Sequence, residues 1–293
     1  MRASTTLRRM LDEPEIIVLP GAYDALSARL AERAGFRAMF TTGFGFSAAA
    51  IGQPDFGLLT MSETIDRARH IVNAVSVPVV ADMDTGYGNP LNTARTVREC
   101  VSAGVAGIIL EDQQWPKKCG HFEGKKVIAA EEHAAKLRAA IDARGDDDLV
   151  IIARTDARAP LGLDEAIRRG RIYRDAGADI VFVEAPQSVD ELRAVRDAIP
   201  DAPLFANMIE GGKTPLLTFL ELQALGYKMV VFPLTALLAA TKAIERVYAE
   251  LFATKTTAGV RDMLTGFEEF ERIVGVPELR ALEERYGIAE ARS

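Results

Sequence analysis

The chain is poor in the residues that several large protein classes depend on. Its 293 residues include two cysteines and three histidines, too few for a disulfide framework or an imidazole-rich zinc centre. Positive charge is not in excess. Lys and Arg number 35 against 42 Asp and Glu, a formal charge of −7, which argues against a general nucleic-acid binder. No run of roughly 18 apolar residues occurs, so no membrane span is expected. The basic start "MRASTTLRRM" is followed by acids in "LDEPEIIVLP" rather than by an apolar leader core, and a cytoplasmic location is the expectation. Nor is there a dinucleotide fingerprint: "GAYDAL" offers one glycine after the first apolar run, where that site needs three.

What the chain does have is rhythm. Short, near-continuously apolar runs recur at 16–20, 36–43, 77–84, 106–112, 149–156, 179–186, 203–210 and 228–233. Strands buried on both faces read this way. Amphipathic stretches lie between them, such as "SVDELRAVRDAI", which sets Val189, Leu192, Val195 and Ile199 among charges. Several end in "ERAGF", "VSAGV", "RDAGA" or "QALGY", a glycine near the helix C-cap just before a strand. Eight such units predict an α/β fold, a single (β/α)8 barrel domain over 1–293, with 256–293 a helical arm. A doubly wound open sheet is the alternative. The arm carries Met263, Leu264, Phe267, Phe270, Ile273 and Val274, which pack either on the barrel or on a second subunit.

Barrel enzymes carry their chemistry at the C-terminal ends of the strands. Those ends read Thr41, Thr42 and Gly43; Asp82 and Asp84; Glu111 and Asp112; Arg154 and Asp156; Glu184; Asn207 and Glu210; and Pro233. Asp82 and Asp84, two apart on a strand, share a face, and Glu111 follows on the next strand. Carboxylates crowded in a barrel mouth are costly without a cation. Oxygen donors with few imidazoles suit Mg²⁺ or Mn²⁺. Cys100 falls on an apolar helix face and reads as core. Cys119 differs: Lys117 and Lys118 precede it, Gly120 and His121 follow, and cationic neighbours favour a thiolate.

These residues, in this order, resemble the isocitrate lyase/phosphoenolpyruvate mutase superfamily. The likeness rests on "DMDTGYGN", "LEDQ", "KKCGH", "ARTDA", "FVEA" and "ANMIEGGKTP" and runs from about Leu7 to Gly287. The "KKCGH" loop marks the carbon–carbon lyase branch. The resemblance implies a (β/α)8 barrel whose last helix is exchanged between paired subunits of a homotetramer. It implies a small di- or tricarboxylate substrate, and neither nucleic acid nor membrane as partner. It implies that Asp82 and Asp84 hold Mg²⁺, with Asp55 and Glu111 acting through bound water. Thr42, Gly43, Phe44 and Arg154 then bind the 1-carboxylate and 2-oxygen. Gly120, His121, Glu184 and Asn207 surround the other carboxylate, and Cys119 is the acid/base on a mobile loop. Catalysis falls to Cys119, Arg154 and Glu111. The base that deprotonates the 2-hydroxyl is not identified, because Phe40 stands where methylisocitrate lyases have Tyr.

The reaction implied is retro-aldol cleavage of a 2-hydroxy diacid. Methylisocitrate lyases hold a third carboxylate with two arginines, and here those positions are Leu238 and Gly266. An apolar group cannot offset a buried carboxylate, so the expected substrate resembles 2,3-dimethylmalate, and the chain resembles the dimethylmalate lyase and petal death protein branch. Oxaloacetate hydrolysis ranks second, since its specialists carry Ser where Pro233 stands. 2-Methylisocitrate cleavage, a phosphonate-forming mutase and a silent barrel scaffold complete the alternatives.

Overall fold

Each of the eight apolar runs forms one strand in the computed structural model, which describes residues 1–288. The strands are β1 (Ile17–Ala22), β2 (Met39–Thr41), β3 (Val79–Asp82), β4 (Gly107–Glu111), β5 (Val150–Thr155), β6 (Ile180–Val183), β7 (Leu204–Asn207) and β8 (Met229–Phe232). All neighbouring pairs are parallel, and β8 returns to β1 with Ile17 opposite Met229, so the sheet closes into a barrel. Several of the helices between strands start at side-chain caps. Asp24, Thr60, Asn89 and Thr218 each accept a backbone N–H in a capping box. Four of the return loops use Gly35, Gly104, Gly177 and Gly226 at φ of 96°, 78°, 101° and 85°, a left-handed conformation that only glycine adopts without strain.

Alternation along the strands sorts the core. Leu19, Phe40, Val80, Ile109, Ile152, Phe182, Phe205 and Val231 point inward and pack together. Their neighbours Ala81, Ile108, Leu110, Ile151 and Ala153 point outward under the helices. The helix Ala3–Asp12 adds Leu7 and Met10 to the inner cluster. Its Leu7 approaches Gly107 at the start of β4, so this helix closes the N-terminal end of the barrel.

The chain divides into two compact units, Met1–Leu237 and the segment from Leu238 onward. The second holds most of the helix Thr235–Thr254, a short 3₁₀ turn (Ala258–Met263), and the helices Phe267–Val274 and Val276–Tyr286, which pack on each other. Among the described residues no helix is long and apolar enough to cross a membrane.

Candidate active site

The inward alternation continues to the C-terminal strand ends, and there it turns polar. Phe40 is followed two residues later by Thr42, Val80 by Asp82, Ile109 by Glu111, Ile152 by Arg154, Phe182 by Glu184, and Phe205 by Asn207. Thr42, Asp82, Arg154, Glu184 and Asn207 line one chamber with Phe44, Asp55, Cys119 and Gly120. Thr42 also caps the helix Gly43–Ile51, accepting from the Gly45 N–H at 3.2 Å. The start of that helix faces the chamber, since a Cβ on Gly43 would stand 3.0 Å from Asp82 Oδ2. A helix N-terminus so aimed suits an anion. Asp84 reaches the cluster differently from the expectation. β3 ends at Asp82, and Asp84 lies beyond it in a left-handed conformation, φ 48°. A tight turn with its N–H on Asp82 Oδ1, 3.2 Å, brings it in rather than an extended strand.

Four buried carboxylates, those of Asp55, Asp82, Asp84 and Glu111, meet here with too few donors. Burial, opposed by Lys117 and reinforced by Asp82 and Asp55, pushes the Asp84 carboxyl up to about 6. Burial pushes Glu111 well above the carboxylate range despite Arg154, and its Oε1 has no hydrogen-bond partner. A hard divalent cation fits that donor set, because it removes the cost of ionising these groups. As the side chains stand, no three His, Cys, Asp or Glu among the described residues are arranged around one ion. The Lys117 ammonium lies among them instead, 2.6 Å from Asp55 Oδ1 and 2.7 Å from Asp84 Oδ1.

Lys117 arrives on the loop that carries Cys119. The loop is pinched at its base, where Gln113 bridges Val127 and the Gln114 N–H donates to Lys126 O at 2.8 Å. Gln113 also clasps the backbone of Lys118 through both ends of its amide. Over the mouth, the Cys119 N–H donates to Asp55 O at 3.1 Å, and the Phe122 ring packs against Phe56 and Phe44. Gly120 has no room for a side chain: a Cβ would collide with Glu184 and Arg154. His121 Nε2 lies 3.2 Å from Glu184 Oε1, while its Nδ1 accepts the Lys213 N–H at 3.0 Å. The "GGK" turn at 211–213 therefore orients His121.

The docked loop corrects the expectation of a stabilised thiolate. Cys119 is buried, and burial pushes its thiol up to about 11, with Lys117 a minor opposing influence. The lysine that was to favour the thiolate is committed to Asp55 and Asp84. At neutral pH Cys119 is a protonated donor, not a ready nucleophile. Cys100 is fully buried in the core, as expected.

Arg154 is the cation of the inner wall. Its Nε and Nη2 donate to the two oxygens of Asp156 at 2.8 and 3.0 Å. Glu111 and Glu184 lie 3.4 and 3.5 Å away. Burial disfavours the charges of both Arg154 and Glu184, but Asp156, then Glu184 and Glu111, outweigh it for Arg154, and Arg154 with His121 outweighs it for Glu184, so Arg154 stays cationic and the Glu184 carboxyl falls below its usual value. Asn207 Nδ2 donates to Glu184 at 3.1 Å. Thr42, Gly43, Phe44, Asp55, Asp82, Asp84, Glu111, Cys119, Gly120, His121, Arg154, Glu184 and Asn207 thus lie in or against one mouth, whereas Asp112 points away from it. Lys117, Lys125 and Asp156 were not given these positions from sequence.

Comparison with known proteins fits this arrangement. The family model described as phosphoenolpyruvate phosphomutase matches residues 7–252. The chain belongs to the phosphoenolpyruvate mutase/isocitrate lyase superfamily. Within that superfamily it is 47% identical over 286 residues to the 2,3-dimethylmalate lyase of Eubacterium barkeri, covering 98% of this chain and 99% of the relative. Among solved structures it is similar to an oxaloacetate acetylhydrolase in complex with 3,3-difluorooxalacetate, with TM-score 0.93, 37% identity, and 98% and 97% of the two chains covered. It is also similar to a phosphonopyruvate hydrolase in complex with oxalate and Mg²⁺, with TM-score 0.89, 34% identity, and 98% and 99% covered.

Proposed function

We propose that this superfamily member is a Mg²⁺-dependent carbon–carbon lyase that cleaves a 2-hydroxy dicarboxylate of the 2,3-dimethylmalate kind to pyruvate and a short carboxylate. The observation that carries the reading is the buried Cys119, held by the docked loop over the same mouth as Arg154 and the crowded carboxylates. The near-full-length likeness to a 2,3-dimethylmalate lyase supports it. Asp82 and Asp84, with Asp55 and Glu111 behind them, would hold Mg²⁺ or Mn²⁺. When bound, the ion supplies Lewis acidity that makes the 2-hydroxyl more acidic.

The chain's own groups do the rest. Arg154 and the N–H groups opening the helix Gly43–Ile51 bind the 1-carboxylate and 2-oxygen, with Thr42 and Phe44 beside them. His121, Asn207, Glu184 and the Gly120 N–H surround the second carboxylate. Once the 2-hydroxyl loses its proton, C2 becomes the keto carbon of pyruvate and the C2–C3 bond breaks. Its electron pair stays on C3, where Cys119 delivers a proton. Arg154, His121 and Asn207 offset the charge that develops, and the loop keeps water out.

The wall formed by Ile209, Val231, Pro233 and Leu234 is apolar. It suits methyl substituents and offers nothing to a third carboxylate. The likeness to oxaloacetate acetylhydrolase supports a second reading, hydrolysis of oxaloacetate, although Pro233 on that wall has no donor to offer. The proposal includes a cytoplasmic homotetramer of helix-exchanging pairs. The deciding assay measures pyruvate release with Mg²⁺ from 2,3-dimethylmalate, citramalate and 2-methylisocitrate, and acetate plus oxalate release from oxaloacetate. Fast cleavage of the malates supports the first reading; turnover of oxaloacetate alone replaces it with the second.

A further inference from the structure

Lys125 lies six residues beyond Cys119, and its side chain is 1% exposed. Its ammonium donates to Asp156 Oδ1 at 2.7 Å and also to the carbonyl of Gly120, the residue that follows Cys119. Asp156 is fully buried, and its Oδ1 is shared: Arg154 Nη2 donates to the same oxygen that holds Lys125. Asp156 is itself fixed from behind, because its N–H donates to Asp112 Oδ1 at 2.8 Å. A continuous path of charged hydrogen bonds thus runs from the backbone beside Cys119, through Lys125 and Asp156, to Arg154.

We propose that Lys125 and Asp156 are a positioning pair that ties docking of the Cys119 loop to the setting of Arg154. The claim deepens the lyase reading, on which it rests for the joint role of Cys119 and Arg154. A buried ammonium is costly unless fully paired. With the loop docked, Lys125 finds its partners at the two groups that must be brought together. With the loop lifted, Asp156 keeps Arg154 but loses its second cation, so the oxygen that Lys125 and Arg154 Nη2 share is held from one side only. The tie then favours the docked loop and the set arginine together, because both cations are held by the same buried carboxylate.

Two readouts that need no turnover test it. The first is the alkylation rate of Cys119 by iodoacetamide, read by peptide mass spectrometry with buried Cys100 as internal control. The charges that bear on Cys119 are those of Asp55, Lys117 and Glu184, so a faster rate in Lys125→Met reports access rather than acidity. A rise of roughly tenfold or more is expected, the equivalent of losing one hydrogen bond to a charged group. The second is oxalate affinity by calorimetry with MgCl₂, expected to weaken by a similar factor. Lys125→Arg should recover much of both. Unchanged alkylation of Cys119 in folded Lys125→Met overturns the tie to the loop. Faster alkylation with unchanged oxalate affinity overturns the coupling to Arg154. If Cys100 also becomes reactive, Lys125→Arg decides: slow Cys119 and tight oxalate support the pair, and their loss refutes it. Failure of the lyase reading alone would leave both readouts intact while no diacid is cleaved.

Discussion

Glu111 and Asp112 are adjacent, buried and acidic, yet they have opposite surroundings. Glu111 points into the mouth, where Arg154 is 3.4 Å from Oε2 and Oε1 has no partner. Asp112 points outward beneath the helices and accepts from Thr155 Oγ1, the Asp156 N–H, Arg169 and Tyr173 OH at 2.7–2.8 Å. Burial raises the pKa of both, but the donors around Asp112 restrain the shift, while Glu111 is driven well above its usual range. A buried carboxylate whose lone pairs are all used holds the fold together. One with an unused lone pair, facing other carboxylates, is poised for something that is not part of the chain.

Substitutions can break or sharpen this contrast. The largest effect belongs to the inner face. Cys119→Ser should lower kcat by about 10²–10⁴-fold, the usual worth of a positioned proton donor, while the urea midpoint stays put. Loss of stability in step with activity would erase the distinction. On the outer face, Asp112→Asn breaks a buried pair and should cost about 3–5 kcal/mol in urea unfolding. His133 extends that outer cluster, its ring 4.6 Å from Tyr173. Burial, with Lys136 and Arg169 nearby, pushes its imidazole down to about 3. Below its ordinary value of about 6.5 the unfolded chain takes up a proton that the folded chain refuses. Stability should therefore fall as pH drops from about 6.5 toward 3, by up to about 1.4 kcal/mol per pH unit. His133→Phe should flatten that profile, and an unflattened one would show that another group carries the slope. The smallest change is expected for Glu111→Gln, whose neutral amide mimics the protonated carboxyl. Its metal-free unfolding free energy should stay within about 1 kcal/mol of the parent. The parent's melting temperature should rise with added Mg²⁺, and the variant's should not.

The amino-acid order made the barrel legible because each strand is a distinct apolar run closed by its own turn signal. The inner column was legible too. A two-residue step from Ile109 reaches Glu111, and from Ile152 it reaches Arg154. The partners of the lysines were not legible. Lys117 meets an aspartate 62 positions away and Lys125 one 31 positions away, and nothing local distinguishes these ammonium groups from solvated ones. Reading "KKCGH" as a linear string gave the thiol a cationic setting. Folding commits Lys117 to Asp55 and Asp84 and buries the thiol, which reverses the expected shift. The left-handed turn at Asp84 was hidden for a related reason, since aspartate tolerates that conformation without requiring it.

The helix Ala3–Asp12, with Leu7 and Met10 seated in the barrel floor, makes the molecule a blind well. Whatever enters by the mouth must leave by it, past the loop that covers it. A cleavage reaction leaves two fragments in one well, and the deeper cannot depart before the shallower. Release is then ordered by depth, and the cover must lift before the well can empty.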